Sequence, residues 1–446
     1  MALSLAMHHM LVLTETGDIL VCGGNSHGEL GVGDLAARAR PVFLRKSQNF
    51  NGEDIVMVCA KRMSSAGVSR EGNLFVWGGN ASGELGFGYN SPYALSPVRI
   101  DRHSFGNTPV VMVANGMCFS VVLTAQGHVY TTGENSGGSL GHGDRINRNT
   151  FTRIDPASFD NLEIGMIATG SEHVLALTRH GCGSLYTWGP DGMGETGQGH
   201  LIATSARTLT PTKLPAGSFD NVAVSMMDAD WHYSVVVSRD GVLWGTGFRH
   251  FGRYTMHRLG GEETFGGGGV RMAACGIAFT LIVTRNNTLW KLRSHNITFD
   301  SAPYRIEIQP FDQDLFAGED VMVAAAGSKH SAVLTTQGRL YAWDDSSDTA
   351  HQIHGFDILT NVPQRIVMDF PATLRFGRWH APCSEVMLAF VMGSYAHLAA
   401  PGARTAYSDA DGDFDEDLLR LIMEQMHLRS RPGTSDGFQD IIGRLL

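Results

Sequence analysis

Gly72-Asn-Leu-Phe-Val-Trp-Gly78 runs directly into Gly79-Asn-Ala-Ser-Gly-Glu-Leu-Gly-Phe-Gly88. The first piece reads as a glycine turn feeding a short strand of β-branched and aromatic residues. The second carries glycine too often for a helix or a strand, so it reads as a loop. The turn-plus-strand piece recurs along the chain. It appears as Gly17-Asp-Ile-Leu-Val-Cys-Gly23, Gly127-His-Val-Tyr-Thr-Thr-Gly133, Gly183-Ser-Leu-Tyr-Thr-Trp-Gly189 and Gly241-Val-Leu-Trp-Gly-Thr-Gly247. Two weaker copies are Asn287-Thr-Leu-Trp-Lys-Leu-Arg293 and Gly338-Arg-Leu-Tyr-Ala-Trp-Asp344. The starting positions lie 55, 55, 56, 58, 46 and 51 residues apart.

Outward from each marker, an alternating apolar strand comes first, as in Ser120-Val-Val-Leu-Thr124, Val174-Leu-Ala-Leu-Thr178 and Ser331-Ala-Val-Leu-Thr335. Further upstream lies another apolar stretch, such as Ile55-Val-Met-Val-Cys-Ala60 or Val321-Met-Val-Ala-Ala-Ala326. Period-2 patterning with glycine turns predicts three to four strands per unit. A lone sheet of that size cannot bury both faces, and a ring of such sheets solves this while leaving few open edges. The expectation is all-β: a seven-bladed β-propeller over residues 1–400, with markers near 17, 72, 127, 183, 241, 287 and 338. Because the first copy looks shortened at its start, a C-terminal strand at Glu385-Val-Met-Leu-Ala-Phe-Val-Met-Gly393 is expected to complete it and close the ring.

The loop after the marker is full in four copies: Gly24-Asn-Ser-His-Gly-Glu-Leu-Gly-Val-Gly33, Gly79–Gly88 above, Glu134-Asn-Ser-Gly-Gly-Ser-Leu-Gly-His-Gly143 and Pro190-Asp-Gly-Met-Gly-Glu-Thr-Gly-Gln-Gly199. It erodes in the last three to Phe248-Arg-His-Phe-Gly-Arg-Tyr254, Ser294-His-Asn-Ile297 and Asp345-Ser-Ser-Asp348. This loop after a Trp-Gly strand resembles the repeat of the regulator of chromosome condensation family over roughly residues 1–370. The resemblance implies a seven-bladed propeller whose members bind other proteins through one face. For the founding type it also implies guanine-nucleotide exchange on a Ran-like small GTPase and attachment to chromatin.

Chemistry leaves few candidates. The glycine loops lead into more β pattern, not into a helix, so they read as positive-φ turns and not as phosphate cradles. His9, His173 and His330 share one repeat slot that holds Met63, Phe119, Tyr233 and Phe279 in the other copies, which marks a packing position and not a metal ligand. No nucleophile elbow, zinc motif or carboxylate dyad is legible, so no catalytic residue, metal or cofactor is assigned. The six cysteines form no C-x-x-C pair and read as reduced thiols, which suits a cytoplasmic or nuclear protein.

The turns before the second strand of each copy are expected to cluster around the channel on one face. They carry Lys61, Arg62, Glu172, Asp230, Trp231, His232 and Lys329. Trp231 beside an Asp and a His is either a hot spot for a partner or a filler between blades. A light-sensing relative uses several tryptophans on this face; only Trp231 falls there, which argues against photoreception. The divergent loop with Arg249, Phe251, Arg253 and Tyr254 is a second candidate, for an acidic or phosphate-bearing partner.

The net charge of −10 and the absence of a basic tail argue against direct nucleic-acid binding. No apolar run is long enough for a spanning helix, and no signal peptide is recognised. Residues 401–446 are expected to form an acidic lead and a helical tail. Asp409-Ala-Asp-Gly-Asp-Phe-Asp-Glu-Asp417 fails as a calcium loop, since its glycine and its twelfth position are wrong. A helix near 416–428 would place Leu419, Ile422, Met423 and Met426 on one stripe, packing on the ring or on a partner. The functional expectation is a non-enzymatic interaction scaffold with a protein partner. The alternatives are exchange on a small GTPase, with a chromatin protein as a further partner, and substrate recruitment in ubiquitin ligation. The missing basic tail, and the lack of an insertion between copies three and four where an exchange wedge would sit, both weigh against exchange.

Overall fold

The computed structural model describes residues 2–14, 16–179, 183–199, 207–215, 217–247, 251, 253–277, 279–295, 305–328, 330–344 and 364–365. They form seven four-stranded antiparallel sheets. Blade one comprises Ala2–Leu5, His9–Leu13, Ile19–Gly23 and Arg38–Leu44 from the channel outward. Blade two begins at Ile55–Lys61, blade three at Val110–Asn115, blade four at Ile164–Thr169, blade five at Val224–Asp230, blade six at Val270–Cys275 and blade seven at Val321–Ala326. Each blade packs on the next, and Leu3, Leu5, Met10 and Leu20 of blade one share a core with Val321, Val323 and Trp343 of blade seven. The molecule is a closed seven-bladed β-propeller.

The expected role of a C-terminal strand is corrected. Blade one draws all four strands from residues 2–44, its inner strand pairing Ala2 with Leu13 and Leu5 with Met10. It lacks no strand, and the ring closes by packing of sheet faces. The stretch 385–393 and the tail 401–446 lie outside the described residues.

The marker turn is a joint between blades. Each of the seven marker residues has positive φ, and Asn287 at 60° takes the place that glycine holds in the other six. A side chain on Gly72 would set its Cβ 2.5 Å from Pro109 Cβ. That close approach lets the next blade start on the turn: Val110 N donates to Gly72 O at 2.9 Å, Ile164 N to Gly127 O at 3.2 Å, and Val270 N to Gly241 O at 2.8 Å.

The full loops are joints as well. Asn25, Asn80, Asn135 and Asp191 accept through Oδ1 from the backbone N–H five residues on, at 2.9–3.0 Å. The Trp77 indole donates to Glu29 O at 2.9 Å, and the Trp188 indole donates to Ser139 O at 2.9 Å, each reaching the loop of the preceding blade. A Cβ on Gly31 or Gly141 would lie within 2.9 Å of those rings, which is why glycine stands there.

The histidine slot is a packing position with a polar tip. Buried His9 Nε2 meets Ser65 Oγ at 2.7 Å, and His173 Nε2 meets Ser234 Oγ at 2.8 Å, in each case on the following blade. Burial holds both imidazoles down at about 3, so they are neutral. Tyr233 uses the same slot to donate to Gly276 O at 2.8 Å. In blade two the slot belongs to Ser64, not Met63: Ser64 pairs with Gly78 as Phe119 pairs with Gly133. The turn before it, 61–63, is as long as the turns at 116–118 and 170–172.

The inner strands face the channel with an unpaired edge, and side chains of the preceding blade cover it. Ser4 Oγ accepts from Ala60 N at 2.9 Å, Cys59 Sγ from Asn115 N at 3.4 Å, and Asp228 Oδ2 from Cys275 N at 2.7 Å. Cys22, Cys59, Cys118 and Cys275 are free thiols.

Candidate channel-mouth site

Turns between the first and second strands of all seven blades meet at one mouth of the channel. In four blades the turn starts with Gly116, Gly170, Gly276 or Gly327. The aromatic slot residue folds over that glycine so closely that a Cβ on Gly116 would lie 2.0 Å from the Phe119 ring, and one on Gly170 2.0 Å from the His173 ring. Blade one has Ala6 there, and blades two and five depart furthest. Their turns carry Lys61 and Asp230 in the glycine position, and the residues that follow, Arg62 at φ 45° and Trp231 at φ 27°, take the left-handed region instead. Bulky residues held there store about 1–2 kcal/mol of strain each.

This altered geometry lets Lys61 and Asp230 meet. The ammonium pairs with Asp230 Oδ1 and lies 3.3 Å from Ala229 O, linking blade two to blade five across the mouth. Burial pushes the Lys61 pKa down, but the carboxylate of Asp230 outweighs it and the ammonium titrates above its ordinary range. One layer deeper, burial pushes Asp228 up to about 6, against the Cys275 N–H and the nearby Lys61. The same burial pushes the Cys59 thiol up to about 11 and the Cys275 thiol well above its usual value, so neither is a nucleophile.

Trp231 is half-buried and lines the mouth. Its ring meets His232 edge-on at 5.4 Å, and His232 Nδ1 lies 3.6 Å from Glu195 Oε1 on the loop of blade four. Its backbone is held by a chain of turns: Ser171 N donates to Trp231 O at 3.3 Å, and Met117 N donates to Ser171 O at 2.7 Å. Arg62 is half-buried, and its Nη1 has no hydrogen-bond partner among the described residues. Glu172 is exposed on the rim, and Lys329 lies outside the described residues.

The second candidate surface is corrected in part. Phe251 is 4% exposed and packs edge-on against Tyr233 at 5.6 Å, because Gly245 leaves room for its ring. Tyr254 is half-buried, with the loop of blade four laid over its backbone, where Gly199 N donates to Tyr254 O at 2.8 Å. Only Arg253 is exposed, and Arg249 lies outside the described residues. Phe251 is thus part of the core and not of an exposed aromatic platform.

Asp228 escaped the sequence reading. The signal was there: Ser4, Cys59, Ala114, Ala168, Ala274 and Ala325 stand in its place in the other inner strands. The mouth encloses about 40 Å³, far below the roughly 300–1,000 Å³ of small-molecule sites. Among the described residues, no three His, Cys, Asp or Glu side chains converge as metal ligands, and no helix is long and apolar enough to cross a membrane.

The model of the regulator of chromosome condensation (RCC1) repeat matches residues 71–123 and 126–177. The ultraviolet-B receptor UVR8 of Arabidopsis thaliana is 32% identical over 241 residues, which cover 54% of this chain and 51% of that protein. The human E3 ubiquitin-protein ligase HERC2 is 28% identical over 356 residues, 77% of this chain but 7% of that protein. The mitochondrial RCC1 domain-containing protein RUG3 of Arabidopsis thaliana is 28% identical, covering 68% of each. The chain thus spans about half the length of UVR8 and a small part of HERC2. Prp20p from Saccharomyces cerevisiae shares the fold with a TM-score of 0.62 at 18% identity, covering 74% of this chain and 81% of Prp20p. Human WBSCR16 shares it at 0.61 and 23% identity, covering 79% of this chain and 94% of that one. The matched repeats, these relatives and the ring itself support an RCC1-like repeat protein.

Proposed function

We propose that this propeller is a non-enzymatic interaction scaffold that presents the channel mouth around Trp231 to a protein partner. The observation that carries this reading is the departure of blades two and five from the glycine rule. Two bulky residues, Arg62 and Trp231, stand in a strained backbone region beside an ion pair that spans the ring. Strain of this kind gathers where a surface has a task. A half-buried tryptophan next to an arginine is also the composition of interface hot spots. The mouth is too small for a metabolite, and its thiols and carboxylates are not arranged as nucleophile and base.

The test is affinity capture from the native source with the full chain, comparing wild type with Trp231→Ala and Arg62→Glu. Loss of the same bound protein from both variants supports the reading, and identical captures would sink it. A second reading has a specific motive. Prp20p, which shares the fold, binds Gsp1p and histones, and on this reading the same face accelerates nucleotide release from a small GTPase. A nucleotide-release assay across small GTPases separates the two, since acceleration by catalytic amounts of the chain replaces the scaffold with an exchange factor. The likeness to HERC2 supports substrate recruitment in ubiquitin ligation as a specialised form of the scaffold.

A further inference from the structure

The junction of blades three and four carries two arginines that the repeat does not require. Arg145 Nε donates to Ser136 O at 2.7 Å. Arg207 Nη1, from the outer strand Arg207–Lys213 of blade four, lies 3.4 Å from the same oxygen. Blade two shows what such a tether needs. There Asn90 stands in the place of Arg145, and its Nδ2 donates to Ala81 O at 3.0 Å. A neutral amide is enough for the loop. Arg145 adds a charge and the terminal N–H donors of its fork.

Among the described residues, neither of these guanidinium groups meets a carboxylate. The carboxylates of the loop are already engaged: Asp144 Oδ2 accepts from Arg148 Nη2 at 2.8 Å, and Glu134 Oε1 accepts from Ser136 Oγ at 2.8 Å. Both arginines are exposed, and their nitrogens on Ser136 O are at most about 6 Å apart. Like charges so close repel, and an anion between them would relieve that repulsion. Ile146, next to Arg145, is 66% exposed, the most open large apolar side chain among the described residues. Two cationic forks thus stand beside an apolar contact, all in solvent. The loop joins the third and fourth strands of its blade, so it emerges at the same end of the ring as the mouth turns. Ser139 Oγ ties it to that end by donating to Glu172 O at 2.5 Å.

One carboxylate matches one guanidinium fork, whereas a phosphate monoester offers three oxygens and nearly two charges, enough for two forks. We propose that Arg145 and Arg207 receive a phosphorylated serine or threonine of a protein partner, with the apolar side chain that follows it resting on Ile146. This site goes beyond the mouth assigned above. It is a second contact at the same end of the ring and uses no residue of the mouth, so the two readings fail separately.

The experiment is fluorescence anisotropy with the full chain and a short labelled peptide in which phosphoserine precedes leucine. It is run at about 50 mM salt, where exposed charges are weakly screened. Companion peptides carry serine or glutamate in place of phosphoserine, or glycine in place of leucine, and inorganic phosphate serves as competitor. The phosphoserine–leucine peptide is expected to bind at least about tenfold more tightly than the serine and glutamate peptides. Arg145→Asn, which keeps the tether as Asn90 does, and Arg207→Gln should each weaken it about tenfold. Ile146→Asp, or glycine in place of leucine, should weaken it about threefold. Arg40→Glu, at an exposed arginine on the outer strand of blade one, leaves it unchanged. An unchanged melting temperature certifies that each variant is folded. Equal binding of the phosphoserine and glutamate peptides would overturn phosphate as the ligand. Inorganic phosphate that competes as well as the peptide would overturn a protein partner. Binding that survives Arg145→Asn and Arg207→Gln would place the peptide elsewhere and sink the proposal.

Discussion

Blades one to four and blades five to seven are held together differently. In the first group each loop clasps the outer strand of the next blade. Gly33 N donates to Leu95 O at 2.8 Å, Gly88 N to Asn149 O at 2.7 Å, Gly143 N to Leu209 O at 2.9 Å and Gly199 N to Tyr254 O at 2.8 Å. Among the described residues, blades five to seven show no counterpart. The strand tryptophans of blades five and six also differ. Trp244 and Trp290 sit two places earlier in their strands than Trp77 and donate to Ser238 and Thr288 of their own blades, at 3.2 and 3.0 Å. What both groups keep is the marker turn and the ring-on-ring core, seen in Phe265 against Trp290 and Phe311 against Trp343. In blades one to four the glycine-rich loop is thus an outer clasp added to the inner joint and the core.

The strongest way to break this comparison is to strike the joint that both groups share. Gly72→Val is expected to cost about 3 kcal/mol or more, from positive φ and the clash with Pro109. Gly241→Val should match it, since its Cβ would meet Gly269 Cα at 2.9 Å. Denaturant unfolding checks this, and a mild effect in either blade would show that the joint is not general.

Asn80→Ala attacks the clasp alone. It removes the acceptor for Leu85 N and the donor to Tyr89 O and Ser91 Oγ, for an expected loss of about 2 kcal/mol. Hydrogen exchange should rise over 80–90, including at Gly88, whose N–H donates to Asn149 O of blade three, and stay unchanged in blades six and seven.

Asp228 divides the groups by pH. Its pKa is near 6 in the fold and about 3.9 unfolded, so the folded state binds the proton more tightly. Its contribution is greatest below pH 4 and is lost as pH rises through 6. Asp228→Asn should remove that decline and stabilise the chain at neutral pH by about 1–2 kcal/mol. Stability profiles of both proteins from pH 4 to about 7 decide it, with the change localised near Cys275. Parallel profiles would mean that Asp228 stays ionised.

The smallest expected effect is Trp77→Phe, which keeps the core ring and loses the hydrogen bond to Glu29 O, for about 1 kcal/mol. Trp290→Phe loses only a bond within its own blade, so its exchange effect should stop at blade six.

Much of the fold was legible because its signals are local. The seven marker turns are set by which residues tolerate positive φ, and Asn287 is a legible substitute for glycine. The Asn and the glycines of the loops are required by one turn and one neighbouring ring. The completeness of blade one was misjudged because an inner strand of four residues, Ala2–Leu5, is too short for its alternation to show. Phe251 misled for a related reason, since an aromatic residue in a divergent loop looks exposed until Gly245 is seen beneath it.

By itself the sequence determined the number of blades, the turns between strands and the residues offered at the channel mouth. These depend on backbone sterics and period-2 patterning within a few residues. Only the tertiary structure decided that Lys61 meets Asp230 from across the ring, that Asp228 lies beneath them, and that Trp231 stays half-open while Phe251 is buried. Those relations appear when the ring closes and brings together blades far apart in sequence, a distance over which no local pattern carries information.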